Sequence, residues 1–167
     1  NTGSTTSSDC LDADAGHYVD STGSDSQTEC AAGTFQASTG QSSCTDASAG
    51  YYVDSTAQTT QTACLAGTYN ANTGSTTSSD CLDASAGHYV DSTAGTAQTT
   101  QTACLAGTYN ADTGSITSSD CLDADAGYYV DSTASTAQTA CAAGTYQASA
   151  GQSSCTDASA GYYVDST

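Results

Sequence analysis

Short runs of aromatic and β-branched residues recur along the chain, separated by longer stretches of Ser, Thr, Gly and Asp. The runs Tyr-Tyr-Val and Thr-Tyr-Asn are typical of short β-strands, and the Gly before each run predicts a turn that leads into the strand. No apolar periodicity of the helical type lasts for two turns. The pattern therefore predicts a small irregular β fold made of short hairpins, without helices.

A tandem repeat organises these runs. The heptapeptide CLAGTYN occurs at residues 64–70 and 104–110, and YVDST occurs five times. If each unit starts three residues before the Gly of the recurring Ala-Gly-x-(Tyr/Phe), its length is 17 or 20 residues. Residues 1–12 are then the end of a truncated unit, and residues 158–167 begin another. Between them lie eight repeats, which we number 1 to 8: 13–29, 30–46, 47–63, 64–83, 84–103, 104–123, 124–140 and 141–157.

Two types of repeat alternate. Repeats 2, 4, 6 and 8 have Cys at the first position and Cys after the tail, whereas repeats 1, 3, 5 and 7 have Ala and Gln at these two places. Both ends are cysteine or neither is, as expected of residues that pair. The pattern predicts one disulfide within each Cys-paired repeat: Cys30–Cys44, Cys64–Cys81, Cys104–Cys121 and Cys141–Cys155. Bridges across the Cys-free repeats, for example Cys10–Cys30 and Cys44–Cys64, are the alternative.

The ninth cysteine, Cys10, closes the truncated unit. The segment NTGSTTSSDC at residues 1–10 recurs at residues 72–81, where it ends the repeat that begins at Cys64. By this register Cys10 is expected to pair with a Cys upstream of the given chain. We therefore expect the chain to be part of a longer polymer, whose neighbouring copies or continuation are its partners.

The composition requires covalent support for the fold. Leu, Ile, Val and Phe together supply 12 of the 167 residues, and the net charge is −18. So little bulky apolar surface cannot offset the entropy of ordering the chain, so disulfides are expected to hold it. Zinc is the weaker alternative, since there is no Cys-x-x-Cys pair and there are only two His residues.

The expected architecture is an elongated rod in which each repeat contacts mainly its neighbours. Stacking should bury Tyr against the Leu, Val or disulfide of the next repeat. The two repeat lengths differ by three residues in the tail before the closing Cys or Gln, which predicts a solvent-exposed loop there. Disulfides indicate an extracellular or cell-surface location, and no stretch is apolar enough to be a membrane-spanning segment.

The segment CAAGTYQASAGQSSCTDASAGYYVDST at residues 141–167 resembles the cysteine-rich repeats of the ephrin-receptor-like type, which are related to EGF-like and TNF-receptor modules. The resemblance covers the whole chain and is carried by the Ala-Gly-x-Tyr steps and by the Cys at both ends of a unit. Every second unit departs from it by lacking both cysteines. The alternation is similar to that of very long repetitive surface proteins of aquatic microorganisms. The resemblance implies a disulfide-rich extracellular repeat with a structural or adhesive role and no catalytic residues.

His17 and His88 are candidates for catalysis or metal binding, but other repeats have Tyr at the same position, which favours a packing or surface role. Without another constellation that could activate a nucleophile, the chain is not expected to be an enzyme. With no Lys or Arg to neutralise phosphates, nucleic-acid binding is excluded. Calcium is possible because Asp-x-Asp pairs supply oxygen ligands. The calcium candidates are Asp12, Asp14, Asp20, Asp123, Asp125 and Asp131.

The chain has no Asn-x-(Ser/Thr) sequon, but its Ser- and Thr-rich tails suit O-linked glycosylation. The candidate sites for covalent O-linked glycans are Thr5, Thr6, Ser7, Thr76, Thr77, Ser78, Thr99, Thr100, Thr117 and Ser118. The expected function is that of a structural extracellular repeat, a segment of a long surface fibre or stalk that carries O-glycans. The alternative is an adhesion or ligand-binding ectodomain in which the repeats act as a spacer, with or without a dependence on calcium.

Overall fold

A computed structural model of the chain describes residues 10–91 and 97–164. These residues fall into two compact parts, 10–64 with 70–82, and 65–69 with 83–91 and 97–164. Repeats 1 to 3 lie in the first part, repeats 5 to 8 lie in the second, and repeat 4 contributes to both. No helix among the described residues is long and apolar enough to cross a membrane.

Each repeat folds as one hairpin of two short antiparallel strands. The first strand follows the Gly at the fourth position of the repeat, and the second strand follows the closing Cys or Gln. The pairs are β1 (His17–Tyr18) with β2 (Thr28–Glu29), β3 (Thr34–Phe35) with β4 (Thr45–Asp46), β5 (Tyr51–Tyr52) with β6 (Thr62–Ala63), β7 (Thr68–Tyr69) with β8 (Leu82–Asp83), β9 (His88–Tyr89) with β10 (Thr102–Ala103), β11 (Thr108–Tyr109) with β12 (Leu122–Asp123), β13 (Tyr128–Tyr129) with β14 (Thr139–Ala140), and β15 (Thr145–Tyr146) with β16 (Thr156–Asp157).

The predicted fold class is confirmed: the chain is a series of disulfide-rich hairpins in tandem, and the described residues contain no α-helix. The helical geometry that is described amounts to two single 3-10 turns, at Ser78–Asp80 and Ser118–Asp120. Both lie in the tail of a 20-residue Cys-paired repeat, where the sequence predicted an exposed loop.

A tight turn leads into each first strand. In repeat 2, the N–H of Thr34 donates to the carbonyl oxygen of Ala31 at 3.0 Å, and the Thr34 hydroxyl donates to the same oxygen at 2.8 Å. Gly33 lies inside this turn with a φ of 86°. A positive φ at the third residue of a turn strongly favours Gly, which explains the Ala-Gly-x-(Tyr/Phe) step.

Neighbouring repeats are joined by four recurring backbone hydrogen bonds. The fourth-position N–H of one repeat donates to the seventh-position carbonyl of the next repeat. The seventh-position N–H of the first repeat donates to the twelfth-position carbonyl of the next repeat. In return, the first-position N–H of the next repeat donates to the fourth-position carbonyl of the repeat before it. The eleventh-position N–H of the next repeat donates to the first-position carbonyl of the repeat before it. Between repeats 1 and 2 these bonds are Gly16 to Gln36 at 2.7 Å, Val19 to Gln41 at 3.0 Å, Cys30 to Gly16 at 2.8 Å and Gly40 to Ala13 at 2.8 Å.

The same four bonds recur at other junctions. In the first compact part they join repeat 2 to repeat 3, and repeat 3 to the residues of repeat 4 that lie in that part. In the second part they join repeats 5 and 6, repeats 6 and 7, and repeats 7 and 8. At these junctions the hairpins are held together by main-chain groups, which are present whatever the side chain. This explains how two repeat types with different closures share one architecture.

Repeats that are two apart also touch. The fourth-position Gly of repeat 2, Gly33, lies against the carbonyl group of Gly74, at the eleventh position of repeat 4. A Cβ on Gly33 would lie only 2.5 Å from that oxygen. Gly16 lies in the same way against Ala57, and Gly107 against Gly151. The close approach of two backbones is therefore a second reason for Gly at the fourth position.

The buried residues are small. Val53, Val90 and Val130 are buried, together with the first-position Ala or Cys of most repeats. By contrast every Leu and Ile is exposed: Leu11, Leu65, Leu82, Leu105, Leu122 and Ile116. Of the three partners predicted for Tyr in the next repeat, namely Leu, Val or the disulfide, Leu is therefore wrong, whereas Val53, Val90 and Val130 are buried. The hairpins approach closely enough for backbone hydrogen bonds, and this spacing accommodates Ala, Val and Cys.

Candidate functional site

The most distinctive feature of the chain is the way in which each hairpin loop is closed. The structure contains the four disulfides that the sequence predicted, Cys30–Cys44, Cys64–Cys81, Cys104–Cys121 and Cys141–Cys155. Each joins the first position of a Cys-paired repeat to the residue before its second strand. The alternative bridges across Cys-free repeats do not occur. Cys10 is exposed and unpaired among the described residues.

The Cys-free repeats close the same loop with a hydrogen bond. In repeat 3, Gln61 takes the place of the second cysteine, and its Oε1 accepts the backbone N–H of Ser48 at 2.7 Å. The equivalent Gln27, Gln101 and Gln138 accept the second-position N–H of their own repeats at 2.6–2.7 Å. Ala at the first position is buried, like Cys30 and Cys104 in the Cys-paired repeats. The pair Ala and Gln is therefore a non-covalent replacement for the disulfide.

Two of these closures have a second hydrogen bond. The Nε2 of Gln27 donates to Oδ2 of Asp14 at 2.8 Å, and the Nε2 of Gln138 donates to Oδ2 of Asp125 at 2.7 Å. In repeats 3 and 5, Ser48 and Ser85 stand at this second position instead. The carboxylates of Asp14 and Asp125 thus hold the closing glutamines, which is a structural use for two of the residues proposed as calcium ligands.

The six calcium candidates are all exposed and do not come together. The carboxyl groups of Asp12 and Asp123 lie against Gly40 and Gly151. No three side chains of His, Cys, Asp or Glu form a group that could hold a metal ion within the part of the chain that is described. Loop closure and packing thus account for the positions of Asp12, Asp14, Asp123 and Asp125, and the Asp131 carboxylate accepts the Ser132 hydroxyl at 3.1 Å.

Two buried asparagines were missed in the sequence. Asn70 is 1% exposed, and its Nδ2 donates to the Ser75 hydroxyl at 2.7 Å and to the Tyr51 carbonyl at 3.3 Å. Asn110 is 2% exposed and donates to the Ser115 hydroxyl at 2.8 Å. Both occupy the seventh position of a 20-residue Cys-paired repeat.

In the Cys-paired repeats, the residue type at the seventh position changes with the length of the tail. In the 17-residue Cys-paired repeats it is Gln36 or Gln147, whose Nε2 reaches a tail carbonyl at 2.9 Å. In the Cys-free repeats it is Val. Comparing the seventh residue with the repeat length would have found this signal, because Asn accompanies each 20-residue Cys-paired repeat and Gln each 17-residue one.

The tails that were proposed for O-glycosylation are ordered turns in repeats 4 and 6. One carboxylate oxygen of Asp80 accepts the N–H groups of Thr76 and Thr77 at 2.9 and 3.0 Å, and Asp120 does the same in repeat 6. The Thr77 hydroxyl lies 2.6 Å from the Ser79 hydroxyl. The tails therefore keep a fixed shape at the surface.

Most of the described glycan candidates are accessible. Thr76, Thr77, Ser78, Thr99, Thr100 and Ser118 are exposed, and Thr117 is half-buried. The hydroxyl of Thr117 lies 2.6 Å from that of Ser119, as Thr77 does from Ser79. Thr5, Thr6 and Ser7 lie outside the described residues.

His17 and His88 each start the first strand of a hairpin and are half-buried. The Nδ1 atom of each lies near a backbone carbonyl, that of Ala15 at 3.3 Å and that of Ala86 at 3.2 Å. Tyr51 and Tyr128 occupy the same strand position in repeats 3 and 7. The two histidines are therefore surface members of the hairpin, in the place that tyrosine takes elsewhere.

A small cavity of about 190 Å³ lies beside Gly127, Tyr146 and Val164. Its lining consists of Ala, Gly, Tyr, Cys, Thr, Gln and Val residues, and the cysteine among them, Cys141, is in a disulfide. The lining contains no carboxylate, imidazole or free thiol.

Four disulfides in a chain of this size indicate that it folds in an oxidising environment. The recurring features of the described residues are the alternating covalent and hydrogen-bonded closures and the backbone hydrogen bonds between neighbouring hairpins within each compact part. Comparison with known proteins finds no family model that matches the chain and no curated protein of similar sequence.

Proposed function

We propose that the chain is a structural extracellular protein, a segment of a long surface fibre or stalk. The observation that carries this proposal is the set of four backbone hydrogen bonds that recurs at successive junctions. A junction whose hydrogen bonds join main-chain groups can be repeated many times, because any sequence that keeps Gly at the fourth position supplies the same donors and acceptors. Contact between successive repeats suits a protein whose function comes from its length.

An extracellular location is supported by the chemistry of the closures. Disulfides persist outside the cytosol and are reduced within it, and four of the eight repeats depend on one. The chain has no Lys or Arg, so proteases that cleave after basic residues have no site in it. A net charge of −18 keeps such chains soluble and apart.

O-linked glycans are part of the proposal. The candidate tail residues Thr76, Thr99 and Thr100 are exposed, and the Asp80 carboxylate fixes the first tail in a turn that leaves the Thr76 hydroxyl at the surface. Sugars there would hydrate the fibre without entering the hairpin core. Intact-mass measurement of the native protein tests this: we expect a mass above that of the bare chain with its disulfides, and the bare mass would exclude glycans.

Kinship with the ephrin-receptor-like cysteine-rich repeats is also proposed, on the Ala-Gly-x-Tyr steps and the paired cysteines. The strength of this proposal is the disulfide within each Cys-paired repeat, such as Cys30–Cys44. A solved structure of a repeat of that family with the same turn, hairpin and intra-repeat bridge would support it. A family member with a different bridge pattern throughout would contradict it.

The test of the fibre is direct. Antibodies raised against the recombinant chain should label the outside of intact producing cells, and gold-labelled electron micrographs should show the label at intervals along surface filaments. Label that appears only after the cells are permeabilised would overturn the proposal. Permeabilised cells stained for a cytosolic protein are the matched control for antibody access.

An adhesion or ligand-binding ectodomain is the second candidate, and the exposed leucines favour it. Leu105, Leu122 and Ile116 of repeat 6 all lie at the surface, and exposed apolar groups often mark interaction sites. Its test is cell or surface binding by the purified chain with and without chelator. Binding that is lost when Leu105 and Leu122 are both changed to Ser would support adhesion, and a further dependence on chelator would support calcium.

A further inference from the structure

Two closures of different strength occupy equivalent places in alternate hairpins. In repeat 2 the loop is closed by the covalent bond Cys30–Cys44, and in repeat 3 by a 2.7 Å hydrogen bond from Ser48 to Gln61. A hydrogen bond yields to a modest force and forms again, whereas a disulfide holds until it is chemically reduced. Alternate hairpins therefore differ in their response to tension while sharing the same junctions.

The disulfides divide the chain into segments that tension can release and segments that it cannot. The four disulfides lock loops with sequence separations of 14, 17, 17 and 14 residues. Each Cys-free repeat lies between two of these loops, except repeat 1, which precedes the first. Between Cys30 and Cys155 about half of the residues lie inside locked loops, so about half of the possible extension is withheld from the oxidised chain.

The opened segments are well placed to close again. A Cys-free repeat that has been pulled open remains attached on each side to a hairpin whose own loop is still closed. The cost of closing a segment of about 20 residues is small, and the backbone partners of the four bonds at each junction stay on the neighbouring hairpins. When the loop closes, the side-chain oxygen of the closing glutamine can again accept the second-position N–H, as Gln61 Oε1 accepts that of Ser48.

We propose that the chain is a length-limited elastic element, in which Cys-free repeats open under tension and disulfide-closed repeats stop the extension. This proposal rests on the structural function proposed above, because only a load-bearing fibre experiences such tension. It gives the alternation of the two repeat types a function: a uniform disulfide chain would not extend, and a uniform glutamine chain would have no stop.

Single-molecule force spectroscopy of the full chain, held at its two ends, tests the proposal. The oxidised chain should extend in several small steps, stop, and recover its length on relaxation. With dithiothreitol present the limit should move outward by roughly 200 Å, from the residues in the four loops at about 3.4 Å each. An oxidised chain that already reaches the reduced limit, or that does not recover, would overturn the proposal.

Engineered closures identify the elements that yield. The double substitution Ala47→Cys with Gln61→Cys places a fifth disulfide in repeat 3, where Ala47 is buried like Cys30. The extension limit of the oxidised variant should fall by roughly 40 Å, for a loop of the same length as that of repeat 2. An unchanged limit, with the fifth bond verified by mass, would show that repeat 3 does not open.

Two glutamine variants separate the closure from general stability. Gln61→Ala removes the bond to Ser48, and should lower the force of one step or abolish that step. Gln58→Ala is the matched control, because the Gln58 side chain donates to the Thr56 carbonyl of its own repeat at 3.4 Å and takes no part in the closure. Equal forces for wild type and Gln61→Ala would refute a load-bearing closure.

The force experiment and the labelling experiment fail independently. A purified chain that lacks the oxidised stop refutes the elastic element even if antibodies label a surface fibre. If the oxidised chain stops at the expected extension and recovers its length, but antibodies do not label the cell surface, the elastic property is supported and the surface fibre is refuted.

Discussion

The close approach of Gly33 to Gly74 makes one substitution especially informative. In Gly33→Ala the new Cβ would lie 2.5 Å from the Gly74 carbonyl oxygen and 3.1 Å from the Cγ2 of Thr76, with a backbone φ of 86°. An L-residue at this φ costs about 1–2 kcal/mol. The steric overlap adds about 1–3 kcal/mol, because backbone rather than a mobile side chain must move. We therefore expect a loss of about 2–5 kcal/mol in the free energy of unfolding.

Gly144→Ala is the matched control for this prediction. Gly144 also lies in a 17-residue Cys-paired repeat, is followed by Thr and an aromatic residue, and has a φ of 83°, but a Cβ there meets no atom within 4 Å. It should lose only the conformational term, about 1–2 kcal/mol. Urea unfolding followed by tyrosine circular dichroism measures both variants. Equal losses would refute the contact between repeats that are two apart.

Three further predictions concern single repeats. Ala57 has a φ of 56° at a position where repeats 1, 2, 4, 6 and 8 have Gly, so Ala57→Gly should stabilise by about 0.5 kcal/mol, measured as a higher urea midpoint; a lower midpoint would contradict a strained Ala57. Asn110→Ala should cost about 2–3 kcal/mol in the same assay, because the buried Ser115 hydroxyl loses its partner; a loss below about 0.5 kcal/mol would place Asn110 in solvent. The double variant Cys104→Ala with Cys121→Gln loses the disulfide, and its free energy of unfolding should fall by about 3 kcal/mol. It should remain about 1 kcal/mol more stable than the double variant Cys104→Ala with Cys121→Ala, because the Gln side chain forms a hydrogen bond. Equal urea midpoints for the two variants would mean that Gln cannot replace the bridge.

Much of the fold could be predicted from the sequence because each position of the repeat occurs several times, so that its residues can be compared between repeats. The joint presence or absence of Cys at two positions indicated which cysteines pair, and the structure contains those pairs, such as Cys64–Cys81. The Gly before each aromatic residue indicated a turn into a strand, which is where each first strand begins. Both inferences depend on local geometry and covalent pairing, which a sequence records directly.

The parts that could not be predicted depend on distances between repeats. The residues around Gln61 do not indicate that it closes the loop of its repeat, because glutamine also occurs in the tails. Burial of Asn70 was missed because asparagine is usually exposed, and it is buried only because the Ser75 hydroxyl and the Tyr51 carbonyl lie beside it. The exposure of leucine was missed for the opposite reason, as its hydrophobicity favoured a core that has room only for smaller side chains.

Amide hydrogen exchange along the oxidised chain tests the central claim most directly. If backbone junctions hold each hairpin to the next, the N–H groups at the first, fourth, seventh and eleventh positions should exchange slowly in both repeat types. In repeat 3 these are the amides of Ala47, Gly50, Val53 and Ala57. Slow exchange with the 17- and 20-residue period of the repeats is the predicted result. Protection confined to the disulfide loops, with repeat 3 exchanging as an unfolded chain, would contradict the account.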